Sequence, residues 1–321
     1  MENSLEAFRT RGPKILSRYS IALVFLLLCI VLAILKPTFS TTDNILNVLR
    51  QISINGVLAI GMTFVIISGG IDLSVGSIVA LTGIVTAGLI RSDMNMASAI
   101  FLGVSCAVVF GALNGFFIAQ WNLAPFIVTL ATMTIARGLT FICSDGKPIS
   151  SLPQSFLLIG KGNLMMGPLV LPLPALILGV VFICCLFLLK YTSFGRYVYA
   201  VGGNEYAAVV SGINTKMVKI FVYTLCSFLA AIASIILTAR IAVGLPQAGQ
   251  GYELDAIAAV VIGGTSLAGG RGKLWGTIIG VLILGVLSNG LDLLNIGSFY
   301  QQIVKGVIIL VAVLMDANRK N

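Results

Sequence analysis

Long apolar runs separated by short polar intervals make up most of this chain. Ten stand out: Tyr19–Leu35, Ile52–Ser68, Ile71–Ile90, Ala97–Ala119, Phe126–Cys143, Leu169–Leu189, Ile220–Ala239, Leu254–Ala268, Trp275–Leu294 and Tyr300–Met315. Runs of about 16 to 23 residues suit helices crossing a hydrocarbon core about 30 Å thick, whereas membrane β-strands need only about ten alternating residues. The pattern predicts an all-α, polytopic membrane protein of about ten transmembrane helices. The second and third runs are nearly continuous, separated only by Gly69-Gly70, and the eighth is short. Such runs predict broken or partly inserted helices, which a bilayer tolerates only where protein or a water-filled cavity surrounds the backbone.

Lys190–Lys219 breaks the pattern as a polar, charged interval between two apolar runs, holding Gly202-Gly203-Asn204-Glu205-Tyr206-Ala207-Ala208-Val209-Val210-Ser211-Gly212. Asn204 is a favourable N-cap, and Glu205 sits where the helix dipole favours an anion. Ala207 and Ala208 favour helix, and Gly212 can end it in the left-handed region. The expected product is a helix of about two turns, marginal alone in water, so it must dock. Its own cytoplasmic face and a soluble partner are equally good docking sites on physics alone.

Composition agrees with a single transmembrane domain over residues 1–321. The chain is 58% hydrophobic and 10% charged, with a mean hydropathy of +1.06. With the amino terminus inside, the inner segments carry twelve Lys or Arg: Arg9, Arg11, Lys14, Arg18, Lys190, Arg196, Lys216, Lys219, Arg271, Lys273, Arg319 and Lys320. The outer loops carry six: Lys36, Arg50, Arg91, Lys147, Lys161 and Arg240. That excess places both ends in the cytoplasm, residues 1–18 and 316–321, with 190–219 as a cytoplasmic loop. The net charge of +9 then reflects topology rather than nucleic-acid binding. The first run is read as an uncleaved anchor, since it exceeds the usual signal-peptide apolar length and no small-x-small cleavage site follows it.

Several chemistries are excluded by residue type. There is no histidine, so His-dependent triads, His proton relays and His-ligated metals are ruled out. The six cysteines (Cys29, Cys106, Cys143, Cys184, Cys185, Cys226) lie in or at the ends of apolar runs without metal-ligand spacing. No phosphate-binding Gly-x-x-x-x-Gly-Lys-Ser/Thr run exists. No metal or cofactor is assigned to this chain, and any ATP-driven work needs another one.

An internal repeat is also expected. Gly70-Ile71-Asp72-Leu73-Ser74 resembles Gly251-Tyr252-Glu253-Leu254-Asp255, and Gly111-Ala112-Leu113-Asn114-Gly115 resembles Gly285-Val286-Leu287-Ser288-Asn289-Gly290. The third run thus matches the eighth and the fourth the ninth, an odd offset that inverts the repeat across the membrane. Shared glycine-rich composition is the plain alternative. Asp72, Glu253, Asp255 and Asp292 are candidate proton or cation sites, but Asp72 with Ser74 and Glu253 with Asp255 precede apolar helices, which favours capping. Asn55, Asn114, Thr129, Thr132, Asn289, Gln301 and Gln302 either line a solute path or bond between helices. Arg137 and Lys305 snorkel or pair with a carboxylate not named by the sequence. Gly111 with Gly115, and Gly276 with Gly280, form small-x-x-x-small faces for internal packing.

The order Glu205-x-Ala207-Ala208-x-x-x-Gly212-Ile213 resembles the coupling loop of ABC-importer permeases. Gly69-Gly70-Ile71-Asp72-Leu73-Ser74-Val75-Gly76-Ser77, Gly195–Glu205 and Gly251–Gly270 resemble bacterial ribose-type monosaccharide permeases of the branched-chain amino acid/ribose superfamily, over about Phe39 to Asp316. The likeness is weakest around Ile149–Pro174, an outer loop that would help receive a binding protein. The resemblance implies a type II ABC importer-like permease, working as a homodimer with a cytoplasmic ATPase using ATP and Mg and a periplasmic or lipid-anchored sugar-binding protein. It assigns coupling to Gly203, Asn204, Glu205, Ala207, Ala208 and Gly212. It also makes Gly70, Asp72, Ser74, Asn55, Asn114, Thr129, Glu253, Asp255 and Asn289 candidates for the path or its gate. Ribose is the first expectation, followed by allose, xylose, galactose or a modified pentose. Branched-chain amino acid or nucleoside permeases share the architecture, and an ion-coupled secondary transporter of a small polar solute is the rival class.

Overall fold

A computed structural model describes residues 22–167 and 169–318. The expected amino-terminal segment 1–18 and the final residues 319–321 lie outside the described residues. Helix α1 (Ala22–Leu35) leads through a short 3-10 turn, Pro37–Ser40, into α2 (Thr42–Ile67). Then come α3 (Val75–Arg91), α4 (Met96–Trp121) and α5 (Pro125–Ser144). Next come α6 (Gln154–Lys161) and two strands, β1 (Asn163–Met166) and β2 (Leu169–Pro172). The second half runs through α7 (Leu173–Tyr191), α8 (Ser193–Gly203), α9 (Glu205–Val210) and α10 (Thr215–Ile241). It ends with α11 (Tyr252–Ile262), α12 (Leu274–Leu293) and α13 (Ser298–Asn318), which includes Asp316–Asn318 of the expected tail.

Helix boundaries follow local chemistry. Asn95 opens α4 by accepting the Ala97 N–H, and the left-handed Asn122 closes it. Pro125 begins α5, where a missing N–H costs nothing. Asn214 accepts from Met217 N to open α10.

Among the described residues, α2, α4, α5, α7, α10 and α12 are long and apolar enough to cross a membrane, and Ala22–Leu35, Val75–Arg91 and Ser298–Val311 are shorter apolar helices. The core lies between α2 and α10. Helix α10 packs most extensively on α4 and α2, while α5 rests on α3 and α13 on α11. Hydropathy does not mark the central helices. The apolar stretch of α2 is 83% buried, against 22% for the more apolar α7. Lipid solvates apolar side chains as well as protein does, so what distinguishes an inner helix is small residues that permit close approach. A Cβ at Gly111 would stand 2.6 Å from Ser227 Cβ, and one at Gly115 2.5 Å from Ile220 Cα, so that expected small-residue face packs α4 on α10. Gly276 and Gly280 likewise meet the backbone of Gly263 and Ala259.

Three expectations need correction. Helix does not resume directly after Gly69-Gly70, since Ile71–Ser74 is also non-helical and α3 starts at Val75. The eighth run shrinks to α11, with Gly264 left-handed just beyond it. Beside the helices, β1 and β2 form a short antiparallel hairpin. Leu169–Pro172, expected to open the sixth span, is its second strand. The stretch before it is tied to the helical body: Ile149 bridges Gly244, and fully buried Phe156 joins a second apolar cluster with Ile84, Ile149 and Ile235.

Candidate functional site

Two non-helical segments enter the helical body. In the first, between α2 and α3, Gly69 (φ +85) turns the chain and Asp72 is fully buried. Asp72 Oδ1 accepts from Ser74 N at 2.9 Å and from Ser74 Oγ at 2.5 Å. Asn114 Nδ2 donates to Ser74 Oγ at 3.0 Å, and Asn114 Oδ1 accepts from Thr132 Oγ1 at 2.5 Å. Thr129, near Thr132 on α5, donates to Pro125 O at 2.9 Å and lies 3.4 Å from Ile71 O. The fold therefore gathers Gly70, Asp72, Ser74, Asn114 and Thr129 in one place. Ser74, expected as a cap, makes no side-chain cap bond; its backbone is already helical, and Asp72 takes the free N–H instead.

The second segment, between α10 and α11, turns at left-handed Ala242, Gly249 and Gly251. Arg137 reaches across from α5, its Nη1 donating to Pro246 O at 2.7 Å and Ala248 O at 2.9 Å. Glu253 Oε1 accepts from Gly251 N at 3.2 Å, capping α11. Asp255 does not cap; it receives Lys305 Nζ of α13 at 2.8 Å, which names the partner the sequence left open. The first turn of α3 meets the second segment directly, since a Cβ on Gly76 would stand 2.3 Å from Gly249 O and 2.2 Å from Glu253 Oε2.

The other expected path residues lie elsewhere. Asn289 of α12 exchanges amide hydrogen bonds with Asn44 of α2, at 3.0 and 2.8 Å. Asn55 is partly buried in α2. Gln301 donates to Asp292 Oδ1 at 2.7 Å. Sequence reasoning missed Asn44, Tyr223 and the reach of Arg137; the Arg137 partners are backbone carbonyls, which leave no residue signature.

The polar interval folds into two helices rather than one. Thr192 Oγ1 accepts from Gly195 N to start α8, and Val198 and Val201 bury one face. Tyr199 Oη donates to Gly272 O at 2.8 Å, and burial pushes its phenol above the ordinary value, keeping it a donor. Gly202 abuts the end of α2, where a Cβ would lie 1.7 Å from Ile67 O, so only glycine allows this contact. Asn204 Oδ1 accepts from Ala207 N at 2.9 Å, and Gly212 (φ +80) closes α9 while Ile213 N bonds Ala208 O. Ala208 is buried, while Tyr206, Val209 and Val210 are exposed. Glu205 pairs with Lys219 of α10 at 2.6 Å. Below that pair lies a cavity of about 210 Å³, bounded by Ser68–Gly70, the α4–α5 turn and Tyr223.

This arrangement fixes broken helices and presents a small helix; its acids cap backbone or pair with lysine rather than converging on a reacting atom. Among the described residues, no group of three or more His, Cys, Asp or Glu side chains is placed to hold a metal ion.

Residues 44–313 match the family described as "Branched-chain amino acid transport system / permease component". The ribose import permease protein RbsC of Bacillus subtilis is 50% identical over 295 residues, 91% of this chain and 90% of that protein. RbsC of Escherichia coli K12 is 46% identical over 302 residues, 93% of this chain and 92% of that protein. The L-arabinose transport system permease protein AraH of Escherichia coli K12 is 40% identical over 303 residues, 94% of this chain and 91% of that protein. No solved structure gives a significant match. The chain belongs to the branched-chain amino acid transport system permease family and is a multi-pass membrane transport subunit, not an enzyme.

Proposed function

We propose that this chain is the membrane-spanning permease of an ATP-driven importer for ribose or a related monosaccharide in a bacterial inner membrane. The observation that carries the reading is α9. It is too short to stand alone, is capped at Asn204 and closed at Gly212, and keeps an exposed apolar edge outside the apolar helices. It occurs in a chain half identical to a ribose import permease. Gly203, Asn204, Glu205, Ala207, Ala208 and Gly212 form the coupling element. A separate cytoplasmic ATPase binds ATP and Mg and docks there, a sugar-binding protein delivers solute outside, and a second copy of the permease completes the path.

The chain crosses the membrane ten times with both ends in the cytoplasm, as an inverted repeat of α2–α4 and α10–α12. Each set has a long helix, a non-helical break, a shorter helix and another long helix, which supports the repeat. Gly70, Asp72, Ser74, Asn55, Asn114, Thr129, Glu253, Asp255 and Asn289 serve the path or its gate. The engagement of Glu253 in capping and of Asp255 in an ion pair favours this reading over an ion-coupled transporter.

The test is uptake of labelled ribose in cells carrying this chain, its ATPase and its binding protein. Uptake that stops when the ATPase is deleted and continues with a protonophore is expected; the reverse would establish ion coupling. Thermal shift of the purified binding protein with a panel of monosaccharides identifies the sugar.

A further inference from the structure

Lys219 stands in the second turn of α10, where the positive end of the helix dipole disfavours a cation. Its side chain is nonetheless only 13% exposed, and both oxygens of Glu205 contact its Nζ, at 2.6 and 2.8 Å. A cation so placed and so buried needs a partner, and that partner is the first residue of α9. Four residues on, one turn along the same face, Tyr223 is fully buried, and a Cβ on Gly70 would lie 2.2 Å from its hydroxyl. Glu205, Lys219, Tyr223 and Gly70 thus form a line from the surface helix to the break between α2 and α3.

These residues, together with Asn122 and Pro125 of the α4–α5 turn, border the cavity of about 210 Å³. Close-packed interiors pass displacement on rigidly, whereas a void beside left-handed turns at Gly69 and Asn122 leaves room for movement. The upstream end of the segment has no such room, because Gly202 lies backbone against backbone on Ile67.

We propose that Lys219 is a positioning residue for transport: it holds α9 through Glu205 above the cavity and transmits displacement of α9 along α10, through Tyr223, to the Gly69–Gly70 break. This rests on the importer reading. The experiment uses the permease reconstituted with its ATPase and binding protein in liposomes, with uptake of labelled ribose and ATP hydrolysis measured together. In Lys219→Met the ATPase still co-purifies and hydrolyses ATP, but sugar moved per ATP falls about tenfold, while Lys219→Arg keeps the pair and most of the coupling. Gly70→Ala lowers sugar per ATP similarly, and adding Tyr223→Phe, which removes the colliding hydroxyl, restores it. Unchanged sugar per ATP in Lys219→Met overturns the proposal. So does a loss in Gly70→Ala that Tyr223→Phe does not relieve, a comparison that decides the matter if Lys219→Met fails to assemble. A wild-type complex that binds no ATPase or moves no monosaccharide would instead overturn the importer reading itself.

Discussion

Between α2 and α3 the chain is held by neutral side chains around one buried carboxylate: Thr132 bonds Asn114, Asn114 bonds Ser74, and Ser74 bonds Asp72. Between α10 and α11 it is held by charges: Arg137 on two carbonyls, Glu253 on the α11 cap, and Asp255 on Lys305. Both segments leave backbone groups without helical partners, so both need polar supply inside an apolar body. They differ in access to solvent. Asp72, Ser74 and Asn114 are fully buried, whereas Glu253 and Asp255 are partly exposed. Neutral hydrogen-bonded groups avoid the desolvation cost of a sealed ion, and charges are tolerated where that cost is relieved. Asp72 is the acid of the sealed site, and its Oδ1 alone accepts from both the N–H and the hydroxyl of Ser74.

The largest expected effect removes the comparison altogether. Gly76→Leu drives a side chain into the Gly249 carbonyl and Glu253 where the start of α3 meets the second segment, and should cost about 3 kcal/mol, read as a lowered melting temperature in detergent and lost uptake. Next, Arg137→Met leaves two carbonyls without a charged donor and should cost about 2 kcal/mol, with Arg137→Lys recovering part of it. Asn114→Leu should cost about 1–2 kcal/mol by stranding Ser74 and Thr132, and the loss should not change with salt. If the Asn114→Leu loss changes with salt as much as the Arg137→Met loss, the contrast between neutral and charged support is wrong. The smallest effect lies outside both segments. Asn204→Ala should cost about 1 kcal/mol, seen as faster hydrogen exchange over Glu205–Val210 with little change in overall melting.

The first break was legible in part. Gly69-Gly70 marks the interruption, but Ile71-Asp72-Leu73-Ser74 carries enough apolar character to read as helix, whereas the chain stays non-helical there and Ser74 bonds back to Asp72. The second break was less legible. Its support comes from Arg137, over a hundred positions away in sequence, acting on carbonyls of Pro246 and Ala248 that any residue would present. The polar interval was legible at Asn204 and Gly212, where local geometry suffices. Its pairing with Lys219 was not, because that lysine also reads as an ordinary inside charge.

Residue order alone settles that this chain lies in a membrane as a bundle of apolar helices, that it has no histidine or phosphate-binding loop for chemistry of its own, and that a capped polar helix stands outside the apolar runs. Those features follow from hydropathy, residue type and capping, all of which act within a few neighbours. The folded chain decides which helices are central, where each break is supported, and which side chain links the surface helix to the interior. Those outcomes depend on close approach at Gly76, Gly111 and Gly202 and on hydrogen bonds between distant segments, quantities that no local pattern encodes.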